Sequence, residues 1–186
     1  MSTRTERTHQ VTQIEVVMEA SYANFTHAFE SLLGRMPVDA LSGLQPLSAQ
    51  AAREKLSSFV GPLDFTLFQK LDHGAVVTAL VGGPCEATTY VFGNALIAVE
   101  MTRHVARAGL YVPLRLFVEA IDGGGVRITY DLPSSLMAEF GSADVNDVAR
   151  GLDEKVTRIL DEAENRKSRT SRVKPDGLPF APSTST

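Results

Sequence analysis

Between Val11 and Ala20 the chain sets Val11, Ile14, Val16, Val17 and Met18 among polar neighbours, the signature of a half-buried first strand. The period then changes. Phe25, Ala28, Phe29, Leu32 and Leu33 recur at spacings of three and four, so residues 22–34 are expected to form an amphipathic helix with Ser21 as its N-cap and Gly34 as a left-handed stop. Residues 36–47 read as a loop, and Ser48 caps a shorter helix to Phe59 whose stripe is Ala52, Leu56 and Phe59. Gly61-Pro62 breaks it.

Three strands are expected next, at 64–71, 75–80 and 88–92, joined by Asp72-His73-Gly74 and Gly82-Gly83-Pro84 into an antiparallel meander. Helical spacing returns over 96–107. Strands at 113–120 and 126–130 then flank the turn Asp122-Gly123-Gly124-Gly125, and Leu132-Pro133 stops the second of them. The last helix is expected over 146–165, capped by Asp144 or Asn146, with Val148, Leu152, Val156, Ile159 and Leu160 facing inward. The order β-α-α-β-β-β-α-β-β-α predicts an α+β fold, a single antiparallel sheet with helices packed on one face.

A length of 186 residues, with 44% hydrophobic and 22% charged side chains, suits one domain with a real core. No run of 18 apolar residues occurs and the start, MSTRTERTHQ, has no secretory apolar stretch, so no membrane partner is expected. The single Cys85 cannot form an internal disulfide, which fits a cytoplasmic location. Charge is uneven: residues 165–186 hold five basic residues and one acid, against 13 and 21 in the preceding 164. That Ser/Thr/Pro-rich basic tail is expected to be disordered and residues 1–10 flexible, around a domain at 11–164. An acidic body argues against nucleic acid as a partner.

The middle of the chain has its own signature. Phe92-Gly93-Asn94, then Gly109-Leu110-Tyr111-Val112-Pro113-Leu114-Arg115, then Tyr130-Asp131-Leu132-Pro133 resemble the bacterial and archaeal domain-of-unknown-function family 302, over roughly residues 12–162. The resemblance implies a compact α+β fold similar to the TATA-box-binding-protein-like architecture, usually a homodimer. It implies no particular reaction.

Candidate chemistry concentrates on the helix at 96–107. Glu100, Arg103, His104 and Arg107 stand at i, i+3, i+4 and i+7 and would share one face. An imidazole oriented by a carboxylate and flanked by guanidinium groups suits general acid or base work near neutral pH, although such a row also makes an ordinary solvated face. Gly109, Tyr111, Pro113 and Arg115 follow at a strand entrance and can rim a pocket. Asp131, beside Tyr130, can orient His104 or Arg115, or cap its own turn. Asn94 either caps the helix behind it or helps to bind an anion there.

No HExxH, CxxC, P-loop, dinucleotide or GxSxG pattern is present, so neither a metal nor an organic cofactor is expected. The sequence therefore predicts a cofactor-independent small-molecule enzyme of isomerase, lyase or cyclase type. In that reading His104 is the acid or base, oriented by Glu100 or Asp131; Arg103 and Arg115 hold a ligand oxygen, and Tyr111, Asn94 and Tyr130 complete the pocket. The alternative is a non-catalytic dimer binding a small ligand or haem, the haem held by His104.

Overall fold

The computed structural model describes residues 2–170, with side chains to residue 166. Strand β1 (Gln13–Met18) is followed by helix α1 (Tyr22–Ser31), a two-residue strand β2 (Gly34–Arg35) and α2 (Ala49–Ser57). Strand β3 (Thr66–Asp72), helix α3 (His73–Leu80), strand β4 (Ala87–Gly93) and helix α4 (Ala95–Thr102) come next. A 3-10 helix at Ala106–Leu110 leads into the hairpin of β5 (Leu114–Ile121) and β6 (Gly125–Asp131). Helix α5 (Pro133–Met137), a 3-10 turn and the long α6 (Ala143–Thr170) end the described chain.

The six strands form one sheet in the order β1-β6-β5-β4-β3-β2. Every pairing is antiparallel except β2 with β3, so the sheet is mixed rather than purely antiparallel. The parallel edge depends on close backbone contact. Both Gly34 and Gly61 donate their N–H to the Phe65 carbonyl at 2.9 Å. A Cβ on Gly34 would lie 1.9 Å from the Phe59 carbonyl oxygen. Gly34 is thus needed for close approach, not for the left-handed stop expected of it.

One face of the sheet is covered by helices. Leu114, Leu116 and Val118 of β5, with Val126, Ile128 and Tyr130 of β6, point under α1 and α6 and are buried. From α6, Val145, Ala149, Leu152, Val156, Ile159, Leu160 and Ala163 meet them, a stripe at helical spacing. Phe29 sits at the centre, edge-on to Tyr90 and Phe92 at ring separations of 5.2 and 5.6 Å. Tyr90 is fully buried, and its hydroxyl donates to Glu30 Oε1 at 2.8 Å, where Lys70 Nζ also donates at 2.7 Å. Burial, then the Glu30 hydrogen bond and charge, push the Tyr90 phenol far above its ordinary range. Burial works against ionised Glu30, but the bonds from Lys70 and Tyr90 and the charges of Lys70 and Arg35 outweigh it and lower its pKa.

Three expectations change. Residues 75–80 are helical: Asp72 accepts from the Ala75 N–H at 2.9 Å and starts α3, so the would-be turn Asp72-His73-Gly74 is a helix start. Gly74 packs so tightly that a Cβ would lie 2.2 Å from the Cys85 carbonyl. The helix expected over 96–107 ends at Thr102, and Arg107 belongs to the separate 3-10 helix, off the Glu100–His104 face. At the carboxyl end α6 starts at Ala143, with Ser142 Oγ accepting from the Val145 N–H at 3.4 Å in place of the expected Asp144 or Asn146 cap. It runs to Thr170, so residues 165–170 are helical, and the rest of the expected basic tail lies outside the described residues. Among the described residues no helix is long and apolar enough to cross a membrane.

Candidate functional site

The side of the sheet turned away from α1 and α6 holds the polar residues of interest, and His73 of α3 meets part of it through Thr89 and Phe117. Alternation along β5 turns Leu114, Leu116 and Val118 to the core, and therefore Arg115, Phe117 and Glu119 to the open face. On β6 the same alternation sends Arg127, Thr129 and Asp131 outward. Continuing the β5–β6 register two residues past the Phe117–Thr129 pair sets Asp131 opposite Arg115.

A hollow of about 40 Å³ lies at this end of the hairpin, lined by Tyr111, Arg115 and Asp131 together with Leu110, Pro113, Leu114 and Leu136. Its wall follows from local structure. The 3-10 helix ends at Leu110, the Val112-Pro113 peptide bond is cis, and Pro133 starts α5 just beyond β6. The α5 start is tied to α6 by the Ser134 N–H, which donates to Asp153 Oδ1 at 2.9 Å.

Tyr111 carries the richest polar contact. Its hydroxyl donates to Glu139 Oε1, and His9 Nε2 stands 3.3 Å from the Tyr111 hydroxyl oxygen, with the His9 ring edge-on to the phenol at 5.9 Å. The Glu139 hydrogen bond first, then burial and the Glu139 charge, raise the Tyr111 pKa, so the phenol keeps its proton. His9 and Glu139 were not legible as site residues, since 102 and 28 positions separate them from Tyr111 and no local spacing links them. Residues 2–12 have no regular secondary structure, yet His9 fastens their end against Tyr111.

The acid–base row expected on α4 lies elsewhere. Glu100 Oε2 pairs with Arg103 at 2.9 Å on a largely exposed surface. His104 Nδ1 lies 3.5 Å from Asp144 Oδ2 at the start of α6, its side chain 34% exposed. The general-base and haem expectations both rest on this ring, and it is not among the residues lining the hollow. Among the described residues the carboxylate that meets it is Asp144, in place of the expected Glu100 or Asp131. Arg107 stacks over Phe140 at 5.6 Å.

The other two candidates are structural. Asn94 Oδ1 accepts from the Leu96 N–H at 2.8 Å and its amide donates to the Asp64 carbonyl at 2.9 Å, so it caps α4 and ties it to the loop before β3. Tyr130 is buried on the core face, away from Asp131, and burial raises its pKa. Of the eight residues singled out, the fold gathers Tyr111, Arg115 and Asp131. Among the described residues no group of three or more His, Cys, Asp and Glu side chains could hold a metal ion.

A model of the family described as Domain of unknown function DUF302 matches residues 44–163, more than half of the chain. The crystal structure of an uncharacterized conserved protein DUF302 from Bacillus stearothermophilus is similar, with a TM-score of 0.56 at 11% identity. The superposition covers 81% of this chain and 97% of that one, and at such identity it speaks for the fold alone. No curated protein sequence gives a significant match.

Proposed function

This chain belongs to the DUF302 family, and we propose that it is a small-molecule-binding protein whose recognition site is the hollow of Tyr111, Arg115 and Asp131. One observation carries the reading. Three polar side chains from the 3-10 segment, β5 and β6 line one concave site, and the cation among them has no ionic partner among the described residues. An unpaired guanidinium at a hollow is a fork of N–H donors shaped for a carboxylate, phosphate or carbonyl oxygen. Asp131 across the strand offers acceptors for a ligand hydroxyl or amine, and Tyr111 stays protonated against Glu139.

Turnover of the bound molecule by proton transfer would draw on the same groups. Asp131 would serve as the proton acceptor, with Arg115 steadying a developing oxyanion and Tyr111, held by Glu139, shaping the wall. In this reading His104, Glu100 and Arg103 take no part.

A thermal-shift screen of small organic anions tests the proposal. Hits are expected to vanish in Arg115→Gln and to persist in His104→Ala. A ligand at 100 times its dissociation constant adds about 2.7 kcal/mol of stability, a shift of several degrees. Hits that ignore Arg115 and are lost with His104 would return the site to the α4 surface.

A further inference from the structure

The polar hollow does not stand alone on the open face. Pro113 lines it and also lines a second, larger groove of about 500 Å³, whose walls include Val38, Leu41, Phe68 and Val91 and no charged residue. The two are joined by the sheet itself. Gln69 of β3 pairs with Val91 of β4, Val91 pairs with Arg115 of β5, and Asp131 of β6 falls in the same row when the β5–β6 register is continued two residues past Phe117–Thr129. Cross-strand neighbours stand roughly 5 Å apart, so the guanidinium is one strand away from the apolar floor. Val38 is fully exposed and Leu41 about half exposed, at the outer wall of the groove.

We propose that the ligand is an amphiphilic monocarboxylate, its head on Arg115 and its hydrocarbon body along the groove between the 36–41 loop and β3–β4. This rests on the hollow being a binding site and adds the class of molecule it takes. Charge complementarity selects the head, because Arg115 has no ion pair among the described residues while the groove beside it offers no polar side chain but Gln69. Apolar area selects the tail: covering Val38, Leu41, Phe68 and Val91 removes exposed hydrocarbon from water, which a short acid cannot do. Asp131 opposes the head by like charge and limits the site to a single carboxylate.

Calorimetric titration of the full chain with sodium octanoate, sodium acetate and 1-octanol separates the contributions. Octanoate is expected to bind at least 100-fold more tightly than acetate and at least 10-fold more tightly than octanol. Arg115→Gln should weaken octanoate at least 10-fold while leaving octanol unchanged. Leu41→Asp, at an exposed loop position, should weaken both, and Asp131→Asn should tighten octanoate. Each variant is paired with its thermal melt, which should match the wild type. Acetate binding as well as octanoate, through Arg115, would overturn the amphiphile and keep the hollow. Octanol binding as well as octanoate, insensitive to Arg115→Gln, would overturn the amphiphile and the hollow together. Absence of octanoate binding overturns the amphiphile, and the anion screen then decides the hollow separately.

Discussion

Removing one oxygen from the core tests how the charged network beneath α1 is held. Tyr90→Phe deletes the hydroxyl that donates to Glu30 Oε1 at 2.8 Å and leaves the fully buried ring in place. A hydrogen bond to an ionised group contributes about 1.5–3 kcal/mol. Glu30 keeps Lys70 at 2.7 Å and its side chain is 23% exposed, so solvent and Lys70 recover part of the loss. The expected cost at pH 7 is therefore near the lower end, about 1.5 kcal/mol, or roughly 3–6 °C in Tm for a domain of this size. Acid should shrink that cost. The Glu30 pKa is lowered in the fold, so its ionic contribution is complete above the unfolded value of 4.5 and is lost as pH falls through the folded value. Urea unfolding of wild type and Tyr90→Phe from pH 7 to pH 3 measures the gap directly. A penalty that stays constant or grows on acidification would refute the account, as would an equal cost in a Glu30→Gln background.

Gly34→Ala should destabilise by about 3 kcal/mol or prevent folding, seen in denaturant melts, because its Cβ would meet the Phe59 carbonyl at 1.9 Å. Asp72→Ala removes the α3 cap and should cost about 1 kcal/mol, with amide exchange accelerated over 75–80; no change there would mean that the cap does not hold the helix. Ile159→Ala, at a fully buried position of α6, should cost about 2–5 kcal/mol by urea unfolding. Glu100→Ala breaks an exposed i,i+3 pair and should change stability by less than about 0.5 kcal/mol.

Much of the architecture was legible as local pattern. The stripe Phe25, Ala28, Phe29, Leu32 and Leu33 is buried as expected, and Ser21 and Ser48 cap their helices through Asn24 and Ala51. These are short-range effects, a period and a side-chain oxygen three residues from a free N–H. The segment Ala75-Val76-Val77-Thr78-Ala79-Leu80 misled because four to eight apolar residues suit strand and helix equally. Asp72 and the packing of Gly74 against Cys85 decide it, and the second of these is a tertiary contact.

The site divides along the same line. A helix periodicity places Glu100 and Arg103 together, and their ion pair is present. Periodicity is silent about what lies beside a surface, and so a row of charged groups gave no sign that His104 would meet Asp144. Tyr111, Arg115 and Asp131 were individually visible as polar residues at strand ends. Their meeting depends on the β5–β6 register, the turn at Pro113 and the seating of α5 on α6. The chain alone thus set which stretches are apolar on one face and, at Ser21 and Ser48, where a helix begins, because those depend on neighbours within a turn. Which face of the sheet stays open, and which distant side chains share a hollow, was decided by long-range packing, because pairings across tens of residues are selected by the whole core and leave no local mark.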